Sequence, residues 1–202
     1  AGGADGVGGA ARFDGPYGLA ISPDGRALFV ADGGNHKLRR VELATGAVTT
    51  LAGSIIGFAN GKGSAAQLHR PQGITVDTAG TIWVSDGYNH AIRKVTPSGM
   101  VTTYAGSSTK GYNDGLLDKA LFSYPRGLVM TDSGDLYVAD RGNQRIRRID
   151  SQGVVTTLAG NKNIGFQQGH GAVAKFNNPC DVAIDILGDV LVADANNHRI
   201  RR

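Results

Sequence analysis

An interval of 54 residues organises the whole chain. The tripeptide Val30-Ala31-Asp32 returns at 84–86 with Ser in place of Ala, and unchanged at 138–140 and 192–194. Each copy is followed three residues after its Asp by an Asn, and then by a run that ends in two cations. A fixed interval of this length is typical of proteins built from repeated structural units, so it constrains the architecture more than any single element does.

Each repeat contains signals for four short strands. In the first repeat, a Pro-Asp-Gly turn at 23–25 separates two apolar runs and predicts a β-hairpin. The four strands of this repeat are predicted at 18–21, 27–31, 37–43 and 48–52. The 31 Gly residues without a collagen-like period also indicate many tight turns. Four strands per unit of this length predict an all-β fold, a β-propeller with four-stranded blades of about 54 residues.

The second strand of each repeat is apolar on both faces. Leu28 and Val30 point to one side of the strand and Phe29 to the other, and the equivalent positions in the other repeats are also apolar. A sheet with one solvated face would alternate apolar and polar residues. The pattern therefore favours blades packed between neighbours over a plain β-sandwich.

The repeats form a single region, 1–202, joined by long Gly-rich linkers. The approximate repeat units are 13–53, 68–106, 122–160 and 176–202. One helical turn is predicted in each linker, at 64–67, 117–120 and 172–175. The fourth unit stops before its last strand, so roughly three and a half to four blades of a ring are present. We expect the natural chain to be longer; the alternative is that other polypeptides complete the ring.

The repeated motifs resemble the NHL repeat, which is named for an Asn-His-Leu triplet. The resemblance rests on the Pro-x-Gly opening at 16–18, the Val-Ala-Asp core and Asn35-His36 with Leu38 one place later. It implies a β-propeller, commonly of six blades. The family includes binding scaffolds, RNA-binding domains and propeller enzymes such as an amidating lyase, so the resemblance alone does not select a function.

Polar residues that recur in every repeat are predicted to serve the blade. The repeated Asp ends a strand and can accept backbone N–H groups from the loop that follows. The second cation of each basic pair shares a face with an apolar residue and is predicted to reach an acceptor on an adjacent blade, with the repeated Asp as a candidate. The structural set is Asp32, Asp86, Asp140, Asp194, Asn35, Asn89, Asn143, Asn197, Arg40, Lys94 and Arg148.

Repeat positions that differ between units are candidates for binding. Tyr17, Gln72 and Arg126 follow the Pro that opens the first strand, and Tyr88 lies in the loop after the second strand. In a propeller these positions gather on one end face near the channel. The four residues are therefore predicted to form a binding face; ordinary surface variation is the alternative.

No catalytic residue, metal site or cofactor is predicted. His36, His90 and His198 occupy equivalent places, but Gln144 stands in the fourth, which would leave a His ligand set incomplete. Cys180 is the only cysteine, which excludes an intrachain disulfide and fits a reducing compartment. A lone Cys is more often inert than nucleophilic.

Three functions remain open from the sequence. The leading hypothesis is a non-catalytic binding or assembly scaffold that presents an end face to protein partners or neighbouring subunits. The alternatives are a metal-dependent lyase or hydrolase with its site in the channel, and an RNA-binding propeller. A net charge of +4 permits several anionic partners without choosing among them. No apolar stretch is long enough for membrane insertion and the first residues do not form a signal peptide, so a soluble chain of unassigned compartment is expected.

Overall fold

The computed structural model describes residues 1–202 and consists of antiparallel sheets and short 3₁₀ helices. The first blade contains β1 (Gly6–Val7), β2 (Pro16–Ile21), β3 (Ala27–Asp32), β4 (Lys37–Glu42) and β5 (Ala47–Ala52). The second contains β6 (Gly61–Lys62), β7 (Pro71–Val76), β8 (Ile82–Asp86), β9 (Ala91–Val95) and β10 (Met100–Gly106). The third contains β11 (Gly115–Leu116), β12 (Pro125–Met130), β13 (Leu136–Asp140), β14 (Arg145–Ile149) and β15 (Val154–Gly160). The fourth contains β16 (Pro179–Ile184), β17 (Val190–Asp194) and β18 (Arg199–Arg201).

The four sheets follow one another as the blades of a β-propeller, which confirms the predicted fold class. In the first sheet the strand order is β1-β5-β4-β3-β2, and the second and third sheets repeat it. The long strands of the first blade begin and end within two residues of their predicted bounds. Each of these three blades has a fifth strand that was not predicted: two residues of the preceding linker pair with the outermost long strand, as Gly6 does with Val48. The fourth sheet has the order β16-β17-β18.

The apolar core lies between the blades. Phe29 and Leu38 of the first blade are buried in one cluster with Ile82 and Val84 of the second. Trp83, on the opposite face of β8, belongs to the next cluster with residues of the third blade. Strand β8 is thus covered on both faces, as its two-sided apolar pattern predicted. Full burial of a large aliphatic side chain contributes roughly 1.5–3 kcal/mol, so the apolar residues buried between blades stabilise the contact between them.

Glycines allow the innermost strands to approach one another at the channel. A Cβ on Gly73 of β7 would collide with the carbonyl oxygen of Arg126 and lie 2.9 Å from the Cα of Gly127. A Cβ on Gly18 of β2 would likewise collide with the backbone of β7. The fourth blade departs from this rule, because Asp181 occupies the equivalent place.

Short 3₁₀ helices occur in the linkers and after the second long strand of each blade. In the linkers they span Gly8–Ala10, Gly63–Ala65 and Gly171–Val173, and in the blades Gly33–Asn35, Gly87–Asn89, Arg141–Asn143 and Ala195–Asn197. Two of the predicted linker turns therefore begin one residue earlier than expected. The predicted turn at 117–120 is a hydrogen-bonded turn in which the N–H groups of Lys119 and Ala120 donate to the carbonyl of Leu116.

Candidate functional site: the upper face and channel mouth

A buried Asp–Asn–Arg network fixes the loops at one end of every blade. In the first blade, Oδ1 of Asp32 accepts the backbone N–H of Asp14 at 2.8 Å, and Oδ2 accepts Nδ2 of Asn35 at 2.9 Å and a guanidinium N–H of Arg39 at 2.8 Å. The same three kinds of bond recur at Asp86, Asp140 and Asp194. The prediction that the Asp accepts backbone N–H groups of the following loop is therefore wrong. The Asp binds that loop through the Asn side chain, and its backbone donor lies in the linker before the blade.

The prediction that Arg40, Lys94 and Arg148 reach an acceptor on an adjacent blade is wrong. Arg40 pairs with Glu42 and Arg148 with Asp135, and Nζ of Lys94 lies 5.3 Å from the centre of the Trp83 ring, so all three contact their own blade. The cation that meets the repeated Asp is instead the first of each pair. Arg39, Arg93 and Arg147 are fully buried, and Arg201 forms the same contact in the fourth blade.

The linker explains why the first cation is buried. Arg39 donates to the carbonyl groups of Ala4 and Arg12 and forms an ion pair with Asp5 at 2.8 Å. The folded-back linker thus supplies acceptors that are far away in sequence and invisible to strand periodicity. Asp5 also accepts the N–H of Thr50 at 3.0 Å, so the network ties the linker to the outer strand β5.

Antiparallel pairing places these loops at one end of the ring, which we call the upper face. It contains the residues that lead into the innermost strands and the loops 33–36, 87–90, 141–144 and 195–198. The hairpin turns 22–26, 77–81, 131–135 and 185–189 lie at the opposite end, the lower face, together with the turns 43–46, 96–99 and 150–153.

Three of the four predicted binding residues meet in the channel. Nε of Arg126 donates to Oε1 of Gln72 at 2.6 Å, and the guanidinium lies 5.8 Å from the centre of the Tyr17 ring. Together with Cys180 and Asp181 they line a cavity of about 400 Å³ formed by the innermost strands of all four blades. Gln72 is only 6% exposed, so its side chain positions Arg126 more than it offers a surface. A binding role for these residues stays a prediction.

Asp181 makes the channel wall electrostatically mixed. Desolvation raises the pKa of this carboxyl group, whereas the N–H of Val182 and the positive charge of Arg126 favour its ionised form. The channel therefore presents a guanidinium, a carboxyl group and an exposed tyrosine ring within one cavity.

Tyr88 lies outside this cavity, on the upper face. Its ring centre is 5.1 Å from that of His69 and 5.2 Å from that of Tyr124, and Tyr124 in turn lies 4.6 Å from His90. The guanidinium of Arg70 lies over Tyr88 at 5.4 Å. On the other side, Nζ of Lys110 lies 5.2 Å from the centre of the Tyr124 ring. We call Arg70, Tyr88, Lys110 and Tyr124 the upper-face cluster.

Sequence reasoning identified Tyr88 but missed the other three members of the cluster. The sequence did contain a signal for these positions, because the residue at each of them differs between repeats. Tyr124 corresponds to Gly15, Arg70 and Asn178, and Lys110 corresponds to Ile56 and Ile164. The contact between the second and third blades, which joins these positions, is visible only in the structure.

The repeated His links consecutive blades. Nδ1 of His36 accepts the backbone N–H of Arg70 at 3.1 Å, and Nδ1 of His90 accepts that of Tyr124 at 3.1 Å. Gln144 performs the same task for the fourth blade, because its Oε1 accepts the N–H of Asn178 at 2.7 Å. An imidazole nitrogen accepts a hydrogen bond only while it carries no proton. Burial and nearby positive charges lower the pKa of His36 and of His90, which favours this neutral form.

No group of three or more His, Cys, Asp or Glu side chains is placed to hold a metal ion. None of the helices is both long enough and apolar enough to span a lipid bilayer.

The fold and the repeated Asp–Asn–Arg network define a repeat β-propeller, and comparison with known proteins agrees. The family model for the NHL repeat matches residues 122–149 and 176–202, and the model for the SMP-30/Gluconolactonase/LRE-like region matches residues 10–110. The chain therefore belongs to the NHL-repeat β-propeller family.

Relatives share the repeat region but are much longer. The chain is 35% identical over 148 residues to the chloroplastic Protein SUPPRESSOR OF QUENCHING 1 of Arabidopsis thaliana, a match that covers 68% of this chain and 14% of the relative. It is 34% identical over 154 residues to NHL repeat-containing protein 2 of Homo sapiens, covering 69% of this chain and 21% of the relative. The match therefore spans about a fifth or less of these relatives.

A solved structure supports the same architecture. A structural genomics protein of unknown function from Bacteroides thetaiotaomicron superimposes with a TM-score of 0.77 at 26% sequence identity. The superposition covers 92% of this chain and 46% of that one.

Proposed function

We propose that the chain is a binding scaffold whose upper face is presented to a protein partner. The observation that carries this proposal is the exposed aromatic cluster at the junction of the second and third blades. Tyr88 is 40% exposed although its ring contacts His69, Tyr124 and the guanidinium of Arg70. Large, pre-ordered aromatic side chains of this kind are enriched among the residues that dominate binding energy at protein interfaces.

The blade architecture does not require these side chains. Tyr88 stands where the other repeats have Gly34, Gly142 and Asn196, so its loop forms without a tyrosine. Below the cluster, the buried ion pair of Arg93 with Asp86 and the interblade bond of His90 hold the loops in place. A rigid scaffold that holds its contact residues in the bound geometry loses less conformational entropy on binding.

The test compares two exposed tyrosines in the full chain. Tyr88→Ala removes the proposed anchor, and Tyr112→Ala is the matched control, since Tyr112 is 44% exposed but belongs to a linker and packs on Arg145. Proteins that co-purify with the wild-type chain from its source cells are quantified by mass spectrometry for each variant. The interaction is then reconstituted with purified components and its Kd is measured.

We expect Tyr88→Ala to weaken binding by about thirtyfold, the loss typical of an interface hot spot, and Tyr112→Ala to leave it nearly unchanged. Equal losses for the two variants, or no loss for Tyr88→Ala, would contradict a partner site on the upper face.

A further inference from the structure

The two end faces of the propeller differ in charge. On the upper face, Arg70, Lys110, Arg126 and Arg141 have no carboxylate within 4.0 Å. Nearby carboxyl groups include those of Asp14, beside the first-blade loop, and Asp181, in the channel.

The lower face is rich in carboxylates. The side chains of Asp24, Asp77, Asp150 and Asp185 accept backbone N–H groups within its hairpin turns. Two cations beside these turns are paired, Arg148 with Asp135 and Arg202 with Asp189, whereas Arg26 is exposed and has no carboxylate partner. Arg70 and Lys110 of the upper-face cluster differ from these cations because each lies over an aromatic ring and has no carboxylate partner.

The upper-face cations are not required by the repeat. Arg141 occupies the place of Gly33, Gly87 and Ala195, and its Nε donates to Asn178, a residue of the next blade. Lys110 replaces an exposed Ile of the other linkers. Because other repeats fold with uncharged residues at these positions, the positive charge there is free to serve recognition.

The ring geometry distinguishes between anionic partners. Tyr88 and Tyr124 meet edge to face at 77°, and Tyr124 meets His90 at 88°. The cations of Arg70 and Lys110 already lie over the ring faces of Tyr88 and Tyr124. Nucleic acid bases bind single-strand readers by stacking on open ring faces, and here a cation lies over one face of each tyrosine ring. Carboxylates, in contrast, can reach cations that project beside aromatic side chains.

We propose that the upper-face cluster binds an acidic segment of the protein partner, with Arg70 and Lys110 pairing with its carboxylates and the rings of Tyr88 and Tyr124 contacting its apolar side chains. This inference rests on the proposed function and gives the chemistry of the partner segment.

The test uses fluorescence anisotropy with the full chain and three labelled probes. These are a short peptide that alternates Glu with Tyr, the same peptide with Gln in place of Glu, and a single-stranded oligouridylate of equal charge. Arg70→Gln/Lys110→Gln removes the proposed cations. Arg26→Gln/Lys62→Gln is the matched control, because both of these cations are exposed and without a carboxylate partner but lie outside the cluster.

We expect the Glu peptide to bind, the Gln peptide to bind at least about tenfold more weakly, and the Arg70/Lys110 variant to lose a similar factor for the Glu peptide. The control variant should stay within about twofold, as expected for cations that the segment does not touch. Binding should weaken as salt is raised.

Equal losses in the two double variants, or equal binding of the Glu and Gln peptides, would overturn the proposal. Preferential binding of oligouridylate through Arg70 and Lys110 would identify a nucleic acid site instead. If the Glu peptide does not bind but Tyr88→Ala still removes the natural partner, acidic recognition is wrong and the scaffold function stands. If Tyr88→Ala leaves the partner bound, the scaffold site itself is wrong.

Discussion

The backbone N–H of Tyr124 in the third blade donates a hydrogen bond to Nδ1 of His90 in the second blade, at 3.1 Å. Tyr124 has a φ of 49°, a left-handed conformation that is unfavourable for a non-Gly residue, and this bond helps to hold it. His90, which accepts this bond, is thus part of the repeat motif, whereas Tyr124, which the bond positions, belongs to the upper-face cluster. Blade structure and the candidate binding site are coupled at this bond.

The interblade bonds of His36 and His90 make the stability of the propeller dependent on pH. Burial lowers the pKa of both groups below the ordinary value of 6.5, so the folded state binds fewer protons than the unfolded state. Their contribution is present above about pH 6.5 and is lost as the pH falls through the lowered pKa values. The free energy of unfolding in urea, measured over this range, should decrease on acidification.

The double variant His36→Gln/His90→Gln should remove this acid-sensitive component and keep most of the neutral-pH stability, because Gln144 already fills the same role. His170→Gln is the control, since His170 is exposed and forms no side-chain bond to another blade. An unchanged pH profile in the double variant would show that other groups cause the dependence.

Replacement of a buried arginine should be far more costly than replacement of its exposed neighbour. Arg93→Met leaves the fully buried carboxylate of Asp86 without its ion-pair partner, for which we expect a loss of about 3–5 kcal/mol. Lys94→Met removes an exposed cation that lies over Trp83 and should cost less than about 1 kcal/mol. Chemical denaturation of the two variants measures the difference. Similar losses would mean that the ion pair does not stabilise the blade.

Gly73→Ala should separate the second and third blades at the channel. Its Cβ would meet the carbonyl oxygen of Arg126 and the Cα of Gly127, which are backbone atoms that cannot rotate away. We expect destabilisation by roughly 1–3 kcal/mol, as found for overpacked sites. Gly9→Ala, where a Cβ would meet nothing within 4 Å, is the control and should be nearly neutral. Thermal unfolding compares the two, and a neutral Gly73→Ala would show that the innermost strands can move apart easily.

Asp114 should control the local order of the linker strand β11. It pairs with Arg147 at 2.6 Å and accepts the backbone N–H of Thr157 at 3.2 Å, which joins the linker to β15. In Asp114→Ala, hydrogen exchange should increase in β11 and at Thr157, while the rest of the blade stays protected. Asp118→Ala, which breaks only an exposed pair with Lys119, should leave exchange unchanged. Uniform acceleration across the third blade would contradict a local role.

The repeat of 54 residues, read with strand periodicity, was enough to predict the propeller and the main strands. These properties depend on residues close together in the chain: Leu28, Phe29 and Val30 show by their alternation that both faces of a strand are apolar, and the Pro-Asp-Gly turn shows where the hairpin reverses. The recurrence of the same pattern in all four units added the information that neighbouring units must cover one another.

The tertiary structure alone decided which cation is buried, how the linker adds a fifth strand and where the variable residues meet. Arg39 is buried because Ala4, Asp5 and Arg12 fold back over it, and the upper-face cluster exists because β12 packs beside β7. These contacts join residues tens of positions apart in the chain. Local periodicity reports which side of a strand a residue faces, but the partner on that side is set by how the linkers and blades close against one another.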